Sequence, residues 1–394
     1  MAQKPLKIGV VGTGPAALMA ADVLASAKHS VVIFERSRGA GRKLLIAGSS
    51  GLNISNGLAL DDFIQAMTPS LDFIDHPLRH FPPAAWLAFL EQSLGLETFL
   101  GTSNRYFVRE MKAANLVRAW SERLRNLGVE FRFQQELSSF EPLNDEVRLR
   151  FARGDSQVFD AAVLALGGGS YLPKDEPLRW PDEFQKLGIA SEPFTPRNVG
   201  YGVEWKGMFL EEADRTPLKN IRLTTAKGQQ LGELLITSYG LEGTPIYAFG
   251  TPGMAYLDLK PDLDRSSLRK KLSAGTENLS PLRRAKKNLR LSSSLQALLF
   301  HHAPPEALQE LDTFIELLKN FPLLLGEPQP LRDAISSSGG IHLSELAPNF
   351  SLKKYPRVFL AGEMLNWDAP TGGFLIQTCV SQGRAAAQGV LGLR

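Results

Sequence analysis

Ile8-Gly9-Val10-Val11-Gly12-Thr13-Gly14-Pro15-Ala16-Ala17, closed off downstream by Val31-Val32-Ile33-Phe34-Glu35, is the stretch that decides the fold. A short apolar run reads as a buried strand, the glycines as a tight turn, and Ala16 to Ala27 as a helix packed on that strand. Gly12 permits the sharp strand-to-helix turn, and Gly14 removes a side chain where a diphosphate must approach the backbone. Pro15 and Ala16 open the helix, and Ala17 keeps it close to the sheet. Free N–H groups at the helix start then face an anion. Glu35 follows Gly12 by 23 positions and ends a second apolar run, so its carboxylate is placed to accept from an adenosine ribose. Strand, helix, second strand and terminal acid occur in register, which separates a dinucleotide site from a plain glycine turn.

The composition sets the frame for that motif. With 394 residues, 43% apolar and 22% charged, the chain has room for two or three domains with sizeable cores. The apolar runs are too short for a signal peptide or a membrane span, so a cytoplasmic protein with no membrane partner is expected. The single cysteine, Cys379, excludes an internal disulfide and dithiol chemistry, and six scattered histidines give no metal-ligand spacing. The net charge of +3 is uneven. Residues 261–290 hold nine basic against three acidic side chains. Such a run reads chiefly as a solvated helix face, although Arg269-Lys270-Lys271 and Arg283-Arg284-Ala285-Lys286-Lys287 are also suited to an RNA backbone. Between Pro261 and Arg290 no aromatic residue is available to stack a base.

After the first unit, residues 39–56 form a glycine-rich polar passage that reads as a long functional loop. Gly41 frees its backbone, while Arg42, Lys43, Asn53 and Asn56 offer donors for phosphate or ring-carbonyl groups. Helical patterns follow over 82–94 and 113–127, then strand patterns over 128–133, 146–151 and 159–166. The last of these stops at Gly167-Gly168-Gly169, which implies backbone pressed against a ligand. Residues 195–259 read as a small antiparallel sheet or barrel, and 266–325 as helical with proline breaks. A final strand, 357–363, ends in Gly362-Glu363, and Thr371-Gly372-Gly373 opens a last helix. Glu363 is placed to accept from ribityl or ribose hydroxyls, and the amides beyond Gly372 to stabilise negative charge.

The N-terminal glycine unit, Leu166-Gly167-Gly168-Gly169 and Ala361-Gly362-Glu363 together resemble an FAD-binding flavoprotein of the two-dinucleotide-binding-domain type. More narrowly, Gly41-Arg42-Lys43-Leu44-Leu45-Ile46 with Asn53-Ile54-Ser55-Asn56, and Pro370-Thr371-Gly372-Gly373, resemble the bacterial YhiN/BaiN-type NAD(P)/FAD-dependent oxidoreductases. Asn104-Arg105-Tyr106-Phe107, Thr237 to Gly243 and Ser338-Gly339-Gly340-Ile341 add to the likeness, which spans nearly the whole chain. Two departures stand out: Gly51-Leu52 replaces the family's Arg-Cys, and Phe374-Leu375 its Tyr-Asn.

The resemblance implies an α/β, Rossmann-like FAD-binding domain with inserted β-barrel-like and helical domains. The expected division is 1–194 and 331–394 for the FAD-binding domain, 195–259 for the β-barrel-like insert and 260–330 for the helical insert. FAD is the expected cofactor, with Arg36 and Leu137 added to the cofactor-binding residues named above. Its ring would reach the Thr371-Gly372-Gly373 helix start and the Ser338-Gly339-Gly340 segment. His342 is a candidate proton donor, weighed against a structural histidine. No second glycine fingerprint is present for NAD(P)H: either it binds transiently without one, or electrons come directly from a small-molecule substrate. The expected function is thus hydride transfer between flavin and a small organic substrate. An RNA-modifying flavoenzyme and a non-catalytic flavin sensor are the alternatives.

Overall fold

The computed structural model describes residues 4–48, 51–67, 72–173, 177–275 and 278–393. Ser49-Ser50 of the glycine-rich passage and Thr276-Glu277 of the basic run lie outside them. The chain divides into two units, one of residues 1–195 with 335–394, the other of residues 196–334.

The first unit is built on a five-stranded parallel sheet in the order Val358–Leu360, Ala161–Leu164, Lys7–Val11, Ser30–Glu35, Glu130–Phe133. Ile8, Val10, Ile33, Val163 and Leu360 are wholly buried, as expected where both faces of a parallel sheet are covered. The strand read over 159–166 is interrupted. Ser156–Phe159 belongs to a separate antiparallel sheet, and Asp160 turns aside to accept from the Lys7 N–H at 2.6 Å.

Two helices cover the centre of the sheet, Pro15–Ser26 and Phe374–Leu391, and they are in close contact. Small residues permit this. A Cβ on Gly383 would sit 2.1 Å from the Ala16 carbonyl oxygen, and one on Gly362 would sit 3.1 Å from the Ala16 methyl.

Residues 39–56 are not the long loop expected from their composition. Gly41, at φ 69°, starts a short helix Arg42–Ala47, and Asn53–Asn56 is a strand paired with Arg105–Val108. The buried Leu44, Leu52 and Ile54 outweigh the polar letters around them.

The second unit has its own core. Its six-stranded sheet runs Tyr201–Gly202, Gly240–Glu242, Gly228–Thr237, Pro217–Thr225, Gly253–Asp258, Phe321–Leu325. Gly202 N–H donates to the Glu327 carbonyl at 3.0 Å and its own carbonyl accepts from Gly326 at 2.8 Å, so the chain beyond the last strand meets the first. This closes the sheet into a barrel and protects both edges. The helical periodicity read through Leu325 extends six residues beyond the helix Leu311–Lys319. Phe321, Leu323 and Leu325 are buried while Pro322 and Leu324 are exposed, the alternation of a strand. Helices and strands of this unit share one hydrophobic cluster, including Leu223, Leu257, Leu298, Phe314 and Phe321.

Gly383→Ala tests the helix contact directly. The added methyl has only backbone to displace, so unfolding free energy in urea should fall by about 2 kcal/mol, the usual scale of overpacking.

Candidate functional site

A cleft opens at the carboxyl ends of the parallel strands, where open α/β sheets receive ligands. Its floor is the first turn. Gly12, at φ 110°, would drive a Cβ to 2.3 Å from the Ala165 carbonyl oxygen, so glycine is required there by the sheet. Gly14 differs. Its φ of −74° suits any residue and a Cβ would meet nothing within 4 Å, so its missing side chain leaves open space in the cleft wall. Pro15 and Ala16 continue that wall, while Ala17 lies behind it, fully buried. No side chain caps the helix at Gly14, so the first-turn N–H groups are open to an anion.

At one end of the cleft stands Glu35, 9% exposed, with Arg36, Gly41 and Leu137 nearby. One carboxylate oxygen accepts from Thr13 Oγ1 at 2.5 Å, the other from the Ser37 N–H at 2.8 Å. Thr13 also accepts from the Gly41 N–H at 3.0 Å. Thr13 was missed in the sequence because it sits between the two motif glycines. It ties the first turn, the second strand and the short helix start together, and it orients Glu35.

At the other end are Leu166, Gly167, Gly362, Glu363, Arg42 and Lys43. Lys43 Nζ donates to the Gly168 carbonyl at 2.8 Å and lies 3.7 Å from Glu363 Oε2. Burial pulls the Lys43 ammonium below the usual lysine value, against the opposing pull of Glu363. Arg42 donates to the Tyr171 carbonyl at 2.6 Å. Among the described residues Glu363 Oε1 is buried without a hydrogen-bond partner, and such an atom costs free energy unless a donor reaches it. Cys379, 4% exposed, borders the same space. Its thiol is pushed well above its ordinary value by burial and then by the Glu363 charge, which disfavours the nucleophilic thiolate.

Several predicted positions stand elsewhere. Gly168 is not among the cleft residues and is pressed against Ser337 Oγ, 2.3 Å from where its Cβ would be, so internal packing accounts for its missing side chain. Asn56 donates to the Gly372 carbonyl at 3.1 Å and accepts from the Leu58 N–H, tying its strand to the start of the last helix. Asn53 Oδ1 is buried without a partner, outside the cleft lining. Gly373, at φ 95°, is required because a Cβ would fall 2.3 Å from the Ser55 carbonyl oxygen. Thr371 is half-buried beside it. Gly339 and Gly340 likewise abut the Pro193 and Met364 carbonyl oxygens. His342 is not among the cleft residues. Its Nε2 meets Glu192 Oε1 at 3.1 Å. In the basic run, Arg265 pairs with Glu316 and Arg269 with Asp312, so part of its charge is neutralised within the fold.

A parallel sheet with an open glycine turn at its carboxyl edge, and Glu35 and Glu363 bordering one cleft, defines the Rossmann-like class of nucleotide-binding folds. The chain belongs to the HI0933-like protein Rossmann domain family, which it matches over residues 6–389. It is 24% identical over 416 residues to the 3-dehydro-bile acid delta(4,6)-reductase of Clostridium scindens, covering 97% of this chain and 99% of that protein. Among solved structures it is similar to the 3-ketosteroid delta1-dehydrogenase of Sterolibacterium denitrificans (TM-score 0.56, 11% identity, 98% and 99% of the two chains). It is also similar to the 3-ketosteroid-delta4-(5alpha)-dehydrogenase of Rhodococcus jostii RHA1 (TM-score 0.52, 14% identity, 99% and 97%). The chain is thus an FAD-dependent oxidoreductase by family. Among the described residues no helix is long and apolar enough to cross a membrane.

Two measurements check this site. Thr13→Val strands the buried Gly41 N–H and loosens Glu35, and urea denaturation should show a loss of about 2 kcal/mol. Cys379 should resist a thiol reagent at pH 8 in the folded protein, and one thiol per chain should react after denaturation.

Proposed function

We propose that the cleft holds one FAD and that the protein transfers hydride between its flavin and a small, apolar, unsaturated organic substrate. NAD(P)H is the proposed electron donor, binding transiently without a glycine fingerprint of its own. The observation that carries the reading is Glu363 Oε1, a buried acceptor with no partner that borders the same cleft as the bare Gly14 backbone. A ribityl hydroxyl supplies the donor that this oxygen lacks, and a diphosphate fills the space where Gly14 has no side chain.

Each residue then has a defined task. Glu35, held by Thr13 and Ser37, keeps lone pairs free for the adenosine ribose hydroxyls. The uncapped amides after Gly14 and the Arg36 side chain face the diphosphate. Lys43 neutralises Glu363 and holds it in place, which lets a carboxylate persist in a partly buried site. Leu137 and Leu166 present apolar surface that excludes water. FAD, when bound, supplies the hydride chemistry, and the protein's share is position and electrostatics. The bile-acid and ketosteroid relatives support an apolar, unsaturated substrate.

Gly14→Val provides the test, because its backbone angles are ordinary and its Cβ has room. The purified wild type should carry a flavin spectrum at one FAD per chain and be bleached anaerobically by NADH or NADPH. Gly14→Val should unfold at the wild-type temperature for the FAD-free protein yet stay colourless after reconstitution. A fully yellow Gly14→Val protein would remove the diphosphate from this wall, and failure of both nicotinamides to bleach the wild type would remove the donor.

A further inference from the structure

The last helix measures out the first unit's site. Near its middle, Gly383 lies on the Ala16 carbonyl beside the glycine turn. One turn earlier, Cys379 lies beside Gly362 and Glu363. Gly373, at its start, sits against Ser55. At about 1.5 Å per residue, that start is roughly 15 Å from the Gly383 contact. A dinucleotide with its diphosphate at Gly14 and its ribityl chain at Glu363 is therefore aimed, by its remaining length, at the helix start. This step rests on the FAD reading above.

Arg105 is a cationic side chain that the fold brings to that place. Its strand pairs with Asn53–Asn56, with Arg105 opposite Asn56, so the backbone beneath it is held on a sheet. Its Nε lies 3.0 Å from where a Cβ on Gly372 would be, and Cδ 3.6 Å, so the side chain rests on the bare Gly372 backbone. Asn56 Nδ2 approaches the same point at 3.5 Å but is used by the Gly372 carbonyl. The helix itself has no capping side chain at Gly373. Arg105 is half-buried, and burial draws its pKa below the usual arginine value, although a guanidinium stays charged in this range. Partial burial also lengthens the reach of its charge.

A hydride delivers two electrons and one proton, and leaves a reduced flavin with one negative charge along the pyrimidine edge of its ring. We propose that Arg105 sets the electron affinity of the bound flavin by stabilising that charge from the start of the last helix. Arg105 is thereby an electrostatic positioning residue, distinct from the residues that bind the adenosine, diphosphate and ribityl parts.

The experiment uses the FAD-loaded full-length chain as wild type, Arg105→Gln, Arg105→Lys and Arg109→Gln. Arg109 is exposed and paired with Glu97, and serves as the distant control. Sulfite, which places negative charge on the ring without any substrate, reports electron affinity through its dissociation constant, and the two-electron midpoint potential is measured alongside. All four proteins should hold FAD. Arg105→Gln should weaken sulfite binding about tenfold and lower the potential by about 30 mV, the two-electron equivalent of that factor. Arg105→Lys should stay within about threefold of wild type because it keeps the charge, and Arg109→Gln should not differ. FAD-loaded Arg105→Gln with wild-type sulfite affinity and potential would overturn the proposal, as would Arg105→Lys falling as far as Arg105→Gln. If Arg105→Gln does not fold, Arg105→Met, of similar length and uncharged, takes its place. A wild-type protein that takes up no FAD would instead overturn the cofactor reading and this proposal with it.

Discussion

The contact between Gly383 and the Ala16 carbonyl is the constraint on which the site depends. It lays the last helix against the first, and only at that separation do residues from both ends of the chain border one cleft. Gly362, facing the Ala16 methyl, is part of the same approach. Any larger residue at these positions would push the C-terminal strand end, and Glu363 with it, away from the Gly14 turn.

Two kinds of glycine shape the first unit. Gly12, Gly168, Gly340, Gly373 and Gly383 are required because a side chain would strike the protein's own backbone or a buried hydroxyl. Gly14 leaves open space in the cleft instead. Only this second kind points to a ligand, and no feature of the sequence separates the two. The glycine run at 167–169 illustrates the difference, since Gly168 is pressed on Ser337 while Gly167 borders the cleft.

Part of the cleft was legible all the same. Gly12, Gly14 and Glu35 border it together because strand, turn, helix and strand follow one another at fixed spacing. The partners of Thr13, Ser37 and His342 were not legible. Whether a threonine hydroxyl joins three segments, or a histidine turns towards an acid 150 positions away, depends on contacts that carry no local signal. The same holds for residues 39–56, where a few buried apolar side chains shaped a helix and a strand out of a loop-like composition.

By itself, then, the sequence determined the class of fold and the glycine turn with Glu35 at the end of the next strand, because those reside in short-range patterns of apolar spacing and backbone freedom. The tertiary structure alone decided that Glu363 carries a buried oxygen without a partner, that Lys43 neutralises it, and that Arg105 stands at the start of the last helix. Each of those facts joins segments far apart in the chain, and their distances are set by how closely helices and strands can pack rather than by any neighbouring residue.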